Sequence, residues 1–218
     1  MLVELARLSA TDVYHLMTQV IVPRPIAWVV SEDAPGDGSS WNLAPYSYFN
    51  AVSSDPPTVM FSVSRSQRTS GTGGGDDVKD TLANVTERPV HTIALPGRSQ
   101  VEQVEATAST VPRGTSEFAL ADLEPVAWDW PVPRPAGARV ALGCTVDRIV
   151  PIGDGPQRVV LSRIDRIWVD PAVVGEDAKG RLRVDATLLD PLARLGAGEY
   201  GGLTPPFRPA RPAQRPGG

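Results

Sequence analysis

Apolar residues along this chain stand in short runs or alternate with polar ones, which is the pattern of β-strands. Strands are predicted at residues 26–30, 48–52, 58–63, 90–95, 126–128, 139–152 and 157–169. The last two are joined by the turn sequence GDGP at 153–156, which favours an antiparallel hairpin. Residues 112–135 are predicted to be loop-like, apart from the short strand at 126–128.

Fewer stretches show the apolar spacing of helices. Helices are predicted at residues 9–19, 78–87 and 99–106. Ser9 followed by Asp12 resembles a capping box at the first helix. Asp76 or Asp77 is expected to cap the second helix, and Glu102 occupies the capping-box position of the third. Many short strands with few helices predict a mainly β fold, a closed or nearly closed β-barrel with peripheral helices.

Length and composition favour a single domain with an appendage. The chain has 218 residues, and its 22 prolines and 20 glycines predict frequent turns. Residues 1–204 are expected to form the domain. The tail at 205–218 carries three arginines, no acid and closely spaced prolines, which exclude a helix or a central strand. It is expected to be extended and to pack on a partner subunit near its start.

Charge and cysteine content narrow the class of function. The net charge of −4 does not favour a nucleic-acid partner, and every apolar run is far shorter than the roughly 20 residues of a membrane span. The single cysteine, Cys144, permits no intrachain disulfide and suits a cytoplasmic location. Because Cys144 lies in an apolar run, a buried, unreactive thiol is expected rather than a nucleophile.

Two polar motifs have the character of a ligand site. Asn42, Pro45 and Ser47 precede a predicted strand and can offer hydrogen bonds to the edge of a planar ring. Lys79, with Asp80 and Thr81, opens a predicted helix, where free N–H groups and a positive charge favour a phosphate. Taken singly, the first motif also fits a plain β-edge loop, and the second fits an exposed lysine on a surface helix.

The other candidate residues and motifs give little evidence of a catalytic, nucleotide-binding or metal site. Arg24 stands between two prolines and could reach a phosphate, as could Arg65 and Arg68, which a solvated loop explains equally well. The glycine-rich segment at 65–77 lacks a nucleotide-binding fingerprint and is interpreted as a flexible insert. The two histidines, His15 and His91, have no Cys or His neighbours that would make a structural zinc site. No catalytic side chain is predicted, so any redox chemistry is assigned to a bound cofactor.

The motifs together resemble the flavin reductase-like family, in the flavoredoxin branch of the FMN-binding split barrels. The matching stretches are VPRPIAWV at 22–29, NLAPYSYFN at 42–50, KDTLAN at 79–84, FALA at 118–121 and LDPLARLG at 189–196. The resemblance covers roughly residues 12 to 200. It implies an FMN-binding split β-barrel with a few peripheral helices that forms a homodimer, with FMN near the subunit interface.

The resemblance also implies a site and an activity. The residues expected to bind FMN are Arg24, Pro25, Ile26, Asn42, Ala44, Pro45, Tyr46, Ser47, Tyr48, Phe49, Asn50, Ser62, Val63, Lys79, Asp80 and Thr81. Asn42, Pro45, Ser47, Tyr48 and Phe49 would line the ring, whereas Arg24, Ser62, Lys79, Asp80 and Thr81 would lie toward the phosphate.

Hydride would pass from NADH or NADPH to the flavin, which would then serve a partner monooxygenase or another electron acceptor. The alternatives are an FMN-binding electron carrier or flavin-binding protein without its own NAD(P)H turnover, and the same barrel holding another cofactor such as haem.

Overall fold

The fold is built on one large antiparallel sheet. It is seen in a computed structural model, which describes residues 1–34, 36, 38, 40–64, 78–112, 115–207 and 209. The strands are β1 Arg24–Pro25, β2 Ala27–Glu32, β3 Trp41–Tyr46, β4 Phe49–Ser54, β5 Pro57–Ser64, β6 Val90–Leu95, β7 Pro125–Trp128, β8 Trp130–Pro135, β9 Val140–Pro151, β10 Gln157–Val169, β11 Val174–Glu176, β12 Leu182–Val184, β13 Ala193–Arg194 and β14 Tyr200–Gly201. The helices are α1 Ala10–Val20, α2 Asp80–Glu87, α3 Val101–Ala106, α4 Glu117–Leu120 and α5 Ala186–Leu189.

The main sheet has seven strands in the order β3-β2-β6-β9-β10-β5-β4. All of its neighbouring strands are antiparallel, and β9 and β10 form the long hairpin that the sequence predicts. Smaller sheets are β1-β13-β14, β7-β8 and β11-β12. The prediction of a mainly β fold is confirmed. Among the described residues, however, β3 and β4 remain the two edges of the sheet, so a closed barrel is not observed.

Strand β2 connects two hydrophobic clusters. Successive side chains of a strand point to opposite faces of its sheet. Ala27 and Val29 therefore pack into one cluster with Phe61, Ile93, Cys144 and Val160. Trp28 and Val30 pack into the other, with Leu43, Val104, Phe118 and Val132. The second cluster is covered by α3, α4 and β8, and Cys144 is buried as predicted.

The helix starts show which capping predictions succeed. The Ser9 side chain accepts a hydrogen bond from the Asp12 N–H at 3.1 Å, as the sequence predicts. Helix α2 begins at Asp80 with Lys79 as its N-cap, so the prediction of a start at 78 with an aspartate cap is wrong.

At the third helix, a 3₁₀ turn at Arg98–Gln100 precedes α3. The N–H of Gly97 donates to Oε1 of Gln100 at 3.1 Å. Gln100 therefore takes the capping role that was expected of Glu102, because the 3₁₀ turn moves the first turn of the helix toward the N-terminus.

Two stretches that look like loops in the sequence are regular elements. Residues 41–46 form β3, and Pro45 is tolerated there because an edge strand does not use all of its N–H groups. Residues 117–135 form α4 and the hairpin of β7 and β8, although β8 contains three prolines. A two-stranded sheet leaves one side of each strand unpaired, which explains this tolerance of proline.

Some predictions fall beyond the described residues. The glycine-rich segment at 65–77, with Arg65 and Arg68, lies outside them, and so does most of the tail at 205–218. None of the helices that the structure describes is long and apolar enough to cross a membrane.

Candidate functional site

A cleft of about 230 Å³ opens where β3, the start of α2 and the turn after α3 meet. Its walls are formed by Asn42, Ala44, Pro45, Tyr46, Val78, Lys79, Asp80, Thr81, Thr107, Ala108, Ser109, Thr110, Val111 and Glu117. The cleft thus unites two motifs that are separated by more than thirty residues in the sequence. Antiparallel pairing of β2 with β3 and packing of α2 on both strands produce this arrangement.

The predicted site residues divide into two groups. Those that line the cleft are Asn42, Ala44, Pro45, Tyr46, Lys79, Asp80 and Thr81. Those that do not line it are Arg24, Pro25, Ile26, Ser47, Tyr48, Phe49, Asn50, Ser62 and Val63. The strand β3 and the start of α2 therefore contribute jointly, whereas the PRPI stretch, β4 and β5 lie elsewhere.

Arg24 has a structural role in this arrangement. Its buried guanidinium donates to the carbonyl oxygens of Thr18 at 2.6 Å and Ile21 at 2.7 Å, at the end of α1. A further hydrogen bond reaches the Leu195 carbonyl at 2.8 Å. These bonds join α1 to the segment after β13, so this cation is engaged with the protein backbone rather than with the cleft.

The remaining outlying residues also have local roles. Ile26 and Val63 are buried in the two hydrophobic clusters. The Ser62 hydroxyl accepts from the Gln157 side-chain amide at 2.5 Å and donates to the Arg158 carbonyl at 3.3 Å. Asn50 is exposed on the edge strand β4.

A chain of buried hydrogen bonds fixes the start of α2 against the sheet. The Asn42 amide donates to the hydroxyls of Thr81 at 2.9 Å and Ser31 at 3.4 Å. The Asn84 amide donates to Ser31 at 3.2 Å and to the Asp33 carboxylate at 2.8 Å. All five side chains are buried. This hydrogen bond joins Asn42, which the resemblance assigns to the ring of the flavin, to Thr81, which it assigns to the phosphate end.

Lys79 and Tyr46 face each other in the cleft. Tyr46 is buried, and burial raises the pKa of its hydroxyl, which is hydrogen-bonded to Thr81. The Lys79 ammonium lies 5.8 Å from the centroid of the Tyr46 ring, within the range of a cation–π contact. Partial burial lowers the pKa of Lys79. Among the described lining residues, Lys79 is the one cation, and Asp80 and Glu117 are the carboxyl groups.

Sequence reasoning missed Glu117 and the turn at 107–111. The Glu117 side chain is only 5 % exposed, and its Oε2 accepts a hydrogen bond from the Leu43 N–H of β3 at 2.9 Å. Burial, together with the nearby carboxylates of Asp33 and Asp80, raises its pKa to about 7. No local signal in the sequence marks these residues, because only the tertiary fold brings α4 and the turn to the cleft.

The polar groups of the cleft suit one end of a phosphorylated ring cofactor. The charge of Lys79 and the positive end of the helix dipole at the start of α2 favour an anion, and the Thr81 hydroxyl can add a hydrogen bond. The volume is slightly below the roughly 300 Å³ at which small-molecule sites begin, so the cleft can take part of a flavin. Within the described part of the chain, no group of His, Cys, Asp and Glu side chains is arranged to hold a metal.

The chain is similar to known proteins over nearly its full length. The chain is 30% identical to the uncharacterized protein YwrF of Bacillus subtilis, over 95% of this chain and 97% of the relative. The crystal structure of nitrilotriacetate monooxygenase component B from Bacillus cereus superposes with a TM-score of 0.81 at 31% identity, over 95% of this chain and 98% of that chain.

A second solved structure, the 2-nitrobenzoate 2-nitroreductase NbaA of Pseudomonas fluorescens, also superposes with a TM-score of 0.81. Its identity is 27%, over 100% of this chain and 99% of that chain. The flavin reductase like domain matches residues 17–188, which include β3, α2 and α4 and so span the cleft. The chain therefore belongs to the flavin reductase-like family.

Proposed function

We propose that this chain is an FMN-binding flavin reductase that accepts hydride from NADH or NADPH. The observation that carries the proposal is the cleft in which Lys79 and the start of α2 meet the polar edge of β3. Membership of the flavin reductase-like family supports it. FMN rather than FAD is proposed because a terminal phosphate suits a cation at the N-terminus of a helix.

The chain's own residues would bind and orient rather than react. Lys79 and the first turn of α2 would hold the phosphate end, while Asn42 is fixed by the buried hydrogen-bond chain that holds β3 and α2 in register. Bound FMN would supply the hydride acceptor. Tyr46 is neutral near pH 7, as a phenol ordinarily is, and burial raises its pKa further, so it offers a polar contact without charge.

We also propose an oligomeric state for the chain and two kinds of electron acceptor. We expect a cytoplasmic homodimer. The relative at 31% identity is component B of a nitrilotriacetate monooxygenase, which supports delivery of reduced flavin to a partner monooxygenase. The relative at 27% identity is a nitroreductase, which supports direct electron transfer to a small acceptor instead.

Anaerobic stopped-flow mixing of the FMN-loaded protein with excess NADH or NADPH tests the activity. We expect flavin absorbance to bleach with at least one of the two nicotinamides, and addition of free FMN to sustain turnover. A flavin that binds saturably but stays oxidised under both would replace the reductase by the electron carrier. Absence of saturable FMN binding to a folded sample would overturn the proposal as a whole.

A further inference from the structure

Glu117 occupies an unusual position for a carboxyl group. It lies at the start of α4, lines the same cleft as Lys79, and is 5 % exposed. The hydrogen bond from the Leu43 N–H to its Oε2 holds the carboxyl in one orientation. The hydroxyl of the preceding Ser116 donates to the Trp41 carbonyl at 2.7 Å. Two hydrogen bonds therefore fasten the start of α4 to β3.

The groups around Glu117 are mostly acidic. Asp33 at the end of β2 and Asp80 at the start of α2 both disfavour its charged form, while the Leu43 N–H favours it. Tyr46 of β3 is neutral, and Lys79 is the cation that lines this cleft among the described residues. Burial is the largest influence, and the net result is a pKa of about 7. Near neutral pH this carboxyl therefore gains or loses a proton at little cost in free energy.

An anionic ligand would shift the protonation equilibrium of the Glu117 carboxyl toward the neutral acid. A phosphate in this cleft would add negative charge next to an ionised Glu117, whose charged form is already disfavoured by burial and by the carboxylates of Asp33 and Asp80. Protonation of Glu117 removes its negative charge, and the neutral carboxylic acid retains an oxygen that can accept the Leu43 N–H.

From this geometry we propose that Glu117 is a proton-binding residue of the cleft, which takes up one proton from solvent when FMN binds and returns it when FMN leaves. The proposal rests on the proposed function, because it needs an anionic flavin in this cleft. The carboxylate becomes a carboxylic acid on binding, and no other bond forms or breaks. FMN affinity should then fall as the pH rises above about 7, by up to about tenfold per pH unit.

Isothermal titration calorimetry of the wild-type chain with FMN measures the proton directly. Titrations at pH 8 in two buffers of different ionisation enthalpy give the number of protons taken up, which should approach about one. Riboflavin, which has no phosphate, should bind with clearly less uptake. Zero uptake for FMN in the wild-type chain overturns the proposal without any variant.

The variant Glu117→Gln keeps an acceptor for the Leu43 N–H but cannot titrate. We expect it to lose most of the proton uptake and to flatten the fall in FMN affinity between pH 6.5 and 8.5. Free FMN titrates identically in both experiments, and at pH 8 its phosphate is almost fully ionised, so a difference in proton uptake between the two proteins reports on the carboxyl group. Glu102→Gln, on the exposed surface of α3, serves as the matched control and should behave as the wild type.

The outcomes separate the two proposals. Saturable FMN binding with the same proton uptake in the wild type and in Glu117→Gln refutes the role of Glu117 and leaves the flavin site intact. Absence of FMN binding to the wild-type chain refutes both. If Glu117→Gln fails to fold, the infrared difference spectrum of the wild type decides. An FMN-induced band from a protonated buried carboxyl, absent with riboflavin, supports the proposal, and its absence contradicts it.

Discussion

Among the described residues, the charged side chains that line the cleft are Lys79, Asp80 and Glu117, and burial changes the pKa of Lys79 and of Glu117. Lys79 lies against the Tyr46 ring and loses part of its hydration, which lowers its pKa. Removing water also strengthens any contact that this ammonium makes with an anion, because charges interact more strongly at low dielectric. The charge of Lys79 is therefore best tested with two ligands that differ only in a phosphate.

Lys79→Ala should weaken FMN binding much more than riboflavin binding. A charge-assisted hydrogen bond contributes about 1.5–3 kcal/mol, so FMN affinity should fall roughly ten- to hundredfold. Fluorescence titration of both flavins measures the difference. The other lysine, Lys179, lies far along the chain outside the cleft, and Lys179→Ala should leave both affinities unchanged. Equal losses for the two flavins in Lys79→Ala would show that Lys79 does not contact the phosphate.

His91 should make the stability of the fold depend on pH. Its ring is fully buried, with Nδ1 3.1 Å from the Pro89 carbonyl, and burial lowers its pKa to about 4. The unfolded chain binds this proton near pH 6.5 but the folded chain does not. The free energy of unfolding should therefore fall as the pH drops below 6.5, by about 2–3 kcal/mol between pH 7 and pH 4.5.

Urea unfolding at the two pH values measures this loss. In His91→Phe the pH-dependent part should shrink by that amount, whatever the variant's stability at pH 7. The exposed His15 provides the control, since His15→Phe should retain the full pH dependence. An unchanged pH dependence in His91→Phe would exclude His91 as its source.

At the scale of elements, the sequence predicts the strands that have a clear apolar pattern. It fails for elements whose structure depends on tertiary contacts. The alternation of apolar residues identifies β6 and the hairpin of β9 and β10 almost to the residue, because strand periodicity is a local property. Strand β3 was mistaken for a loop because Pro45 and its polar neighbours break the pattern, although an edge strand tolerates them. The sequence places the start of α2 too early, since the N-cap of this helix is Lys79, whose side chain makes no capping hydrogen bond, rather than an aspartate.

The candidate site is likewise predicted only in part from the sequence. The motifs at β3 and α2 are visible in the sequence and meet in the cleft. Glu117 and the turn at 107–111 are not visible, since their proximity to Lys79 depends on how α3 and α4 cover β3. The role of Arg24 was also hidden, because its partners are backbone carbonyls at the end of α1 and after β13.

The hairpin of β7 and β8 rests on the main sheet through Trp130 and Gly143. A Cβ atom at Gly143 would lie 2.6 Å from Cδ2 of Trp130, and the Trp130 indole N–H donates to the His91 carbonyl at 3.2 Å. Gly143→Ala should therefore displace the hairpin and destabilise the fold by about 1–3 kcal/mol.

Chemical denaturation followed by tryptophan fluorescence measures this change. Gly175→Ala is the matched control, because a Cβ there would meet no atom within 4 Å. Its stability should stay within about 0.5 kcal/mol of the wild type. Similar stabilities for the two variants would mean that the hairpin adapts to the extra methyl group.

At the scale of the molecule, the most distinctive surface is the outer face of α1. Thr18 is the buried residue of this helix, whereas Tyr14, Met17, Val20 and Ile21 are exposed by 38 to 65 %. Apolar side chains clustered on one exposed helix face are typical of a protein–protein interface. This face is the surface on which the proposed homodimer would form.

Sedimentation at micromolar concentration should give a particle of about twice the 23.2 kDa chain mass. Val20→Glu should shift the particle toward the monomer, because a charge would be buried in the interface. Leu182→Glu introduces the same charge at an exposed apolar residue of β12, and it should leave the dimer intact. A wild-type chain that sediments as a monomer would contradict the homodimer.

The buried hydrogen bonds from Asn42 and Asn84 have a consequence for engineering. They tie Thr81 and Asn84 of α2 to the strands β2 and β3, so the helix that begins beside Lys79 is held in place by the same side chains that order the polar edge of the sheet. A substitution at Asn42 that is meant to alter contacts at β3 would therefore also disturb the helix start. Redesign of the cleft has to treat the strand and the helix as one unit.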